Sequence, residues 1–214
     1  MRGVKAALGG IGLAVLAMGA LHGIQPGFNP IQVPISFYVH GRHGWLLSVA
    51  LGAFGGSAVL LSRDLKPGPD RAAAEPYILW FGAGMLLAAA IPSDPWFPWQ
   101  DAPSFRGAVH ALSAVFAPPL LMFPMFRRRW MVCRTRAWSA VRNLLVCAYL
   151  AGLAGSGLSL VVGFARDGAP PFIGLAERAL AIGAAGWLAM IGCAQLSRTP
   201  AAPGSSRGDE AEVR

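Results

Sequence analysis

Six apolar stretches, separated by short polar connections, set the pattern of this chain. They run approximately Val4 to Ile24, Gly44 to Ser62, Tyr77 to Ile91, Gly107 to Phe126, Trp138 to Phe164 and Leu175 to Leu196. About 20 apolar residues cross a hydrocarbon core roughly 30 Å thick. The pattern therefore predicts an all-α membrane protein, a six-transmembrane-helix bundle over residues 1–198. The third stretch is short, and the fifth is long enough to tilt or to project beyond the membrane. Residues 199–214, rich in Pro, Ser, Gly and charge, are expected to form a disordered cytoplasmic tail.

The first stretch has a second reading. Arg2 and Lys5 precede an apolar core, and Ala17-Met18-Gly19 resembles a small-residue cleavage site, as in a signal peptide. Its full-span length, and the better fit of an even number of spans to the charge pattern, favour a retained helix.

Composition agrees with the pattern. The 214 residues are 55% hydrophobic and only 13% charged, too apolar for a soluble domain of this length. The net charge of +8 would suit nucleic acid on a solvated basic face. Here the basic residues sit between apolar blocks, which argues against that partner. Fourteen of the eighteen fall at the N-terminus, between the second and third spans, between the fourth and fifth, and in the tail. Only Arg42, Arg106, Arg166 and Arg178 lie on the other side. The positive-inside rule then puts both termini in the cytoplasm. Arginine supplies sixteen of the basic residues, and Ala and Gly abound, which points to a GC-rich bacterial genome and to a multi-pass protein of the bacterial cytoplasmic (inner) membrane. Cys133, Cys147 and Cys193 form no CxxC pair, and no disulfide framework is expected.

Small residues recur every four positions at Ser48, Gly52 and Gly56, at Ala151, Gly155, Ser159 and Gly163, and at Ala181, Ala185 and Ala189. Such faces let helix backbones approach closely in lipid.

The polar residues gather on the side opposite the arginines. In AAAIPSDPWFPW, Ala88 to Trp99, two prolines end the third span, Asp94 emerges at the interface, and Trp96, Phe97 and Trp99 suit headgroup depth. A carboxylate there is costly unless paired. His110 lies just inside the fourth span, and Pro118, Pro119 and Pro124 should kink that helix, leaving either a cavity or a bent packing surface. Glu177 suits a helix N-terminus, whereas Arg178 is expected to reach a carboxylate, with Asp94, Asp101 or Asp167 as candidates. All four histidines share this side. His40 and His43 stand three apart and would meet one metal only if their glycine-flanked stretch were helical, so metal binding there is disfavoured. Bis-histidine haem through His22 and His110 is disfavoured too, because both sit near helix ends. No cofactor is expected. The run Arg127 to Trp130 with Arg134 and Arg136 is read first as a topology signal and second as a surface for anionic headgroups. No GxSxG, HExxH, phosphate-cradling loop or CxxC supports a standard enzyme label.

The succession NPIQVPISFYVHGRHGWLLSVALGAFG, AAAIPSDP, RGAVHALSAVFAPPLLMFPMFRRR and GLAERALAIGAAGWL resembles the bacterial and archaeal membrane family catalogued as domain of unknown function 998, from about Leu8 to Leu196. The resemblance implies a multi-span protein with recurrent polar positions at Asn29, Ser36, Tyr38, Asp94, His110 and Arg178. Family members often carry glutamine where this chain has Glu177. No activity comes with the resemblance.

Three functional readings stay open. In the first, the residues just named, with Glu177, bind a lipid or small amphiphile facing the outer leaflet; Asp94 is acid, base or ionic anchor, His110 its proton partner and Arg178 a headgroup clamp. In the second, the same groups only lock a non-catalytic accessory or assembly protein. The third is a small-solute transporter moving on the proline-broken fourth helix, although the halves show no convincing inverted repeat. Whether the protein is an enzyme is left open. Membrane lipids are the expected partners, and protein partners are not specified. Topology is checked by thiol labelling: Trp99→Cys in a chain lacking other cysteines should react with an impermeant maleimide on intact cells, and protection there would invert the map.

Overall fold

The computed structural model describes residues 2–65, 69–97, 100–126, 136–166, 168 and 171–197. Trp99, Arg127 to Trp130, Cys133, Arg134, Asp167 and the tail lie outside the described residues. Among the described residues six α-helices follow one another: α1 Arg2–Ile24, α2 Trp45–Asp64, α3 Pro69–Ala90, α4 Phe105–Phe126, α5 Arg136–Arg166 and α6 Ile173–Ser197. A short 3-10 helix, Ile35–His40, lies between α1 and α2. Among the described residues there is no strand.

Five of the helices (α1, α2, α4, α5 and α6) are long and apolar enough to cross a membrane, and α3 contributes a shorter apolar piece, Ala74–Ala90. The chain thus has the make-up of a multi-pass membrane protein. Its outward face supports this, because Leu16, Trp80, Phe116, Leu144, Val161 and Ile182 are exposed and apolar, a surface that water would not tolerate in bulk. Helix ends follow the prolines. Pro26 lies two residues beyond α1 and Pro92 two beyond α3, and a residue before proline is disfavoured in helical geometry. Two features were not legible as elements: the 3-10 helix, and the polar first turns of α3 ahead of Tyr77.

The helices form an open ring in the order α5, α6, α1, α2, α3, α4. Neighbours pack closely, α1 against α6 more sparsely, and the two ends of the ring, α4 and α5, barely meet. Trp187, Phe81, Ile78, Leu121, Leu188 and Tyr149 fill the centre. A second cluster of Leu21, Ile35, Tyr38 and Leu47 seats residues 25–44 over one end of the ring. That end carries all four histidines and is called here the histidine end.

Gly155, on an expected face of α5, packs closely on α6, since an added Cβ would lie 2.9 Å from Ala176 Cβ, whereas on α2 the close crossing falls one position away from the expected face. Gly55 and Gly82 touch backbone to backbone, so that a Cβ added to either would lie 2.7 Å from the other's carbonyl oxygen. Gly183 sits against Tyr149 and the Leu145 carbonyl, and Gly152 against α6. By contrast, Gly56 has nothing within 4 Å of an added Cβ, and Gly52 only Ala89 at 3.9 Å. Repeats of four find a face, but the crossing angle selects the row that makes contact. Gly82→Val should lower the melting midpoint in detergent by overpacking worth about 1–3 kcal/mol, whereas Gly56→Ala should leave it unchanged; equal midpoints would show that the α2–α3 crossing is looser than described.

Candidate functional site

At the histidine end the first turns of α6 meet the α1–α2 connection. Leu175 donates its amide to the Ile31 carbonyl at 3.0 Å. Gly174 makes room for this contact, since an added Cβ would meet the Pro30 carbonyl at 2.7 Å and Nη1 of Arg178 at 2.9 Å. From there Arg178 reaches across three segments. Its Nε donates to His22 Nε2 at 2.8 Å, Nη1 to the carbonyls of Val33 at 3.1 Å and Gly174 at 2.7 Å, and Nη2 to the Tyr38 hydroxyl at 3.0 Å. The guanidinium also lies over the Tyr38 ring, 5.4 Å from its centre. His22 Nδ1 faces the Met18 carbonyl at 2.7 Å and so must carry the proton, leaving Nε2 to accept from Arg178. Four of the five guanidinium N–H groups are thus engaged.

Among the described residues no carboxylate bonds Arg178, neither Asp94 nor Asp101, and Asp167, the third expected candidate, lies outside them. Every acceptor of Arg178 among the described residues is neutral, because the loop carbonyls lie within reach while Asp94 is engaged elsewhere. Oδ2 of Asp94 accepts the Ser104 amide at 2.9 Å and Oδ1 the Ser104 hydroxyl at 2.7 Å. Ser104 Oγ in turn accepts the Gly107 amide at 3.0 Å, making Ser104 the N-cap of α4. Asp94 therefore sits at the positive end of the α4 dipole, in a space that any side chain at position 107 would take from it.

His110 answers a different need. Prolines have no amide, so Pro92 and Pro95 leave the carbonyls of Ala88 and Ile91 without their i+4 donors. His110 Nδ1 covers both, at 3.2 Å and 2.7 Å. The ring is 4% exposed. Because carbonyls only accept, Nδ1 bears the proton and Nε2 is an acceptor, with no bonding partner among the described residues.

The remaining expected residues divide between turn and wall. Asn29 closes a local turn by accepting the Ile31 amide at 2.9 Å. Tyr38 is fully buried and belongs to the Arg178 network. His40 ends the 3-10 helix and stands 3.5 Å from Ser93 Oγ, whereas His43 adopts a left-handed φ of 57° in the following turn. The two share no helix, and no group of three or more His, Cys, Asp or Glu suited to a metal occurs among the described residues. Sequence reasoning missed Gln25, whose Nε2 donates to the carbonyls of Tyr38 at 3.1 Å and Arg42 at 2.7 Å. It also missed Ser104, although a serine three residues before the Gly107 amide is a cap signal.

Between α4 and α5, where the ring is open, lies a cavity of about 420 Å³, within the range of roughly 300–1,000 Å³ usual for ligand sites. A smaller hollow of about 120 Å³ adjoins it towards Asp94, Trp96 and Phe97. Both are lined by Ser36, His110, Ala114, Val115, Leu160, Ile173 and Glu177. Glu177 Oε2 accepts the Ile35 amide, the first of the 3-10 helix, at 2.6 Å, and no bond is recorded for Oε1. Deeper, the large cavity is walled by Leu51, Phe81, Met85, Leu153, Leu180 and Ala184. At its far end Tyr149 donates to the Pro118 carbonyl, and Ser156 Oγ is buried without a partner. Pro118 and Pro119 also free the carbonyls of Ala114 and Val115, both in the wall. From His110 to Pro119 is nine residues, about 13 Å of helix at 1.5 Å each, close to the thickness of one hydrocarbon leaflet, roughly 15 Å. Among the described residues no lysine or arginine lines either space.

A family model described as "Protein of unknown function (DUF998)" matches residues 8–194. No curated protein and no solved structure matches the chain. The Arg178 network yields a direct test. Arg178→Lys keeps the charge but not the planar fork, and should cost roughly 2–4 kcal/mol of stability in detergent and expose residues 25–44 to protease; unchanged midpoint and cleavage would mean that Arg178 does not hold that loop.

Proposed function

We propose, for a chain that belongs to the DUF998 family of proteins of unknown function, that it crosses the bacterial cytoplasmic membrane six times and holds a lipid or other small amphiphile in the α4–α5 cavity. Both termini are cytoplasmic in this reading, and the histidine end faces outward. The supporting charge asymmetry is that of the connections, with most basic residues at the opposite end. α3 serves as the sixth span although its apolar piece is short, which local thinning or tilt of neighbours accommodates.

One observation carries the binding reading: an apolar cavity about one leaflet deep has His110 and Glu177 together at one end, while the hydroxyl of Tyr149 at the other is given to the Pro118 carbonyl. A chain fits the deep part and a head fits the polar end. Roles differ from the simplest expectation. His110, Glu177 and Ser36 face the ligand, whereas Asp94, Asn29, Tyr38 and Arg178 shape the site from behind, so Arg178 is a scaffold and not a headgroup clamp. Turnover is not required by this arrangement.

Native mass spectrometry from mild detergent tests it. The wild type should retain an amphiphile that Ala114→Trp, which fills the cavity wall, removes while the melting midpoint stays within a few degrees. Asp94→Asn should instead lower the midpoint and leave retention unchanged at low temperature. A wild-type spectrum free of bound lipid across several mild detergents would move the assignment to an accessory protein locked by its polar network.

A further inference from the structure

The atoms that face the cavity determine more than the presence of a ligand. His110 Nδ1 is committed to the Ala88 and Ile91 carbonyls, which fixes Nε2 as an acceptor. Glu177 Oε2 is committed to the Ile35 amide, which leaves Oε1 free for the ligand, an acceptor in the ionised carboxylate. The carbonyls of Ala114 and Val115, freed by Pro118 and Pro119, add further acceptors in the same wall. On the donor side the large cavity offers the hydroxyls of Ser36 and Ser156, with that of Tyr149 already given to Pro118, and the adjoining hollow adds the neutral Trp96 indole. Arg178, next to Glu177 in the chain, has four of its five N–H groups on His22, Val33, Gly174 and Tyr38 and is not part of the lining.

Acceptors in apolar surroundings are costly when unpaired, and an anion brought among them has no counter-charge. Donors, in contrast, satisfy them. Resting on the amphiphile reading above, we infer that the cavity selects an amphiphile of about one leaflet's length whose head presents hydrogen-bond donors, a hydroxyl or an ammonium, and carries no anionic group. The head lies between Glu177 and His110, and the tail runs down α4 towards Tyr149.

Three probes of equal chain length distinguish the possibilities: monododecanoyl glycerol, dodecylamine and dodecyl phosphate, each titrated into delipidated protein and followed by native mass spectrometry and thermal shift. The glycerol ester, the amine or both should bind, and the phosphate should bind at least tenfold more weakly. Whichever of the first two binds more tightly identifies the source of the donor. Two conservative variants keep the scaffold. Glu177→Gln retains an oxygen for the Ile35 amide, and His110→Asn retains a donor near the Nδ1 position; each should weaken the preferred probe at least tenfold while the midpoint of the empty protein holds. Dodecyl phosphate binding as tightly as the others, or variants binding like the wild type, would overturn the inference. If such binding were still abolished by Ala114→Trp, the cavity reading would survive; if no probe bound, or Ala114→Trp changed nothing, that reading would fail as well.

Discussion

Backbone groups in a membrane interior have no water to turn to, and each must find its partner within the protein. Here prolines repeatedly remove that partner. Pro92 and Pro95 orphan two carbonyls at the end of α3, and His110 reaches across from α4 to cover them. Elsewhere at the histidine end the same relation holds. Arg178 binds the carbonyls of Val33 and Gly174, Gln25 those of Tyr38 and Arg42, Asp94 the Ser104 amide and Glu177 the Ile35 amide. The polar side chains concentrated there serve the main chain before they serve any ligand.

That constraint also explains how the guanidinium of Arg178 is held by neutral groups among the described residues. Four neutral acceptors and an aromatic face stabilise its charge by dipoles. A structural clip of this kind ties α6 to α1 and to the loop between α1 and α2, and it leaves Glu177, one residue earlier, turned to the adjoining cavity. Where the clip ends, the candidate site begins: atoms not needed by the backbone, Nε2 of His110 and Oε1 of Glu177 among them, remain for something else.

The open side of the ring follows from the same prolines. α4 contains Pro118, Pro119 and Pro124, and its contact with α5 is sparse apart from the Tyr149 hydroxyl on the Pro118 carbonyl. Between α2 and α3 a pair of glycines, and between α5 and α6 glycines set against the neighbouring helix, bring backbones together. The cavity lies where such pairs are missing, bounded by small residues such as Ala114 and Ala184 and by kinked helix, with its mouth beside the lipid-facing surfaces of α4 and α5.

The sequence by itself determined the helices, because hydrophobic length is a local property and prolines mark where it stops. It also determined the membrane class, the family resemblance, and the gathering of Asp94, His110, Glu177 and Arg178 at one end of the bundle. Partners were decided only in three dimensions. Nothing in the order of residues says that Asp94 takes Ser104, the N-cap of α4, that Arg178 takes His22 and Tyr38, or that Gly55 and not Gly56 makes the crossing. Those choices depend on which groups the helix packing brings within about 3 Å, the reach of a hydrogen bond, and that distance is set by rotation and crossing angle, which a one-dimensional pattern with a period of 3.6 leaves free.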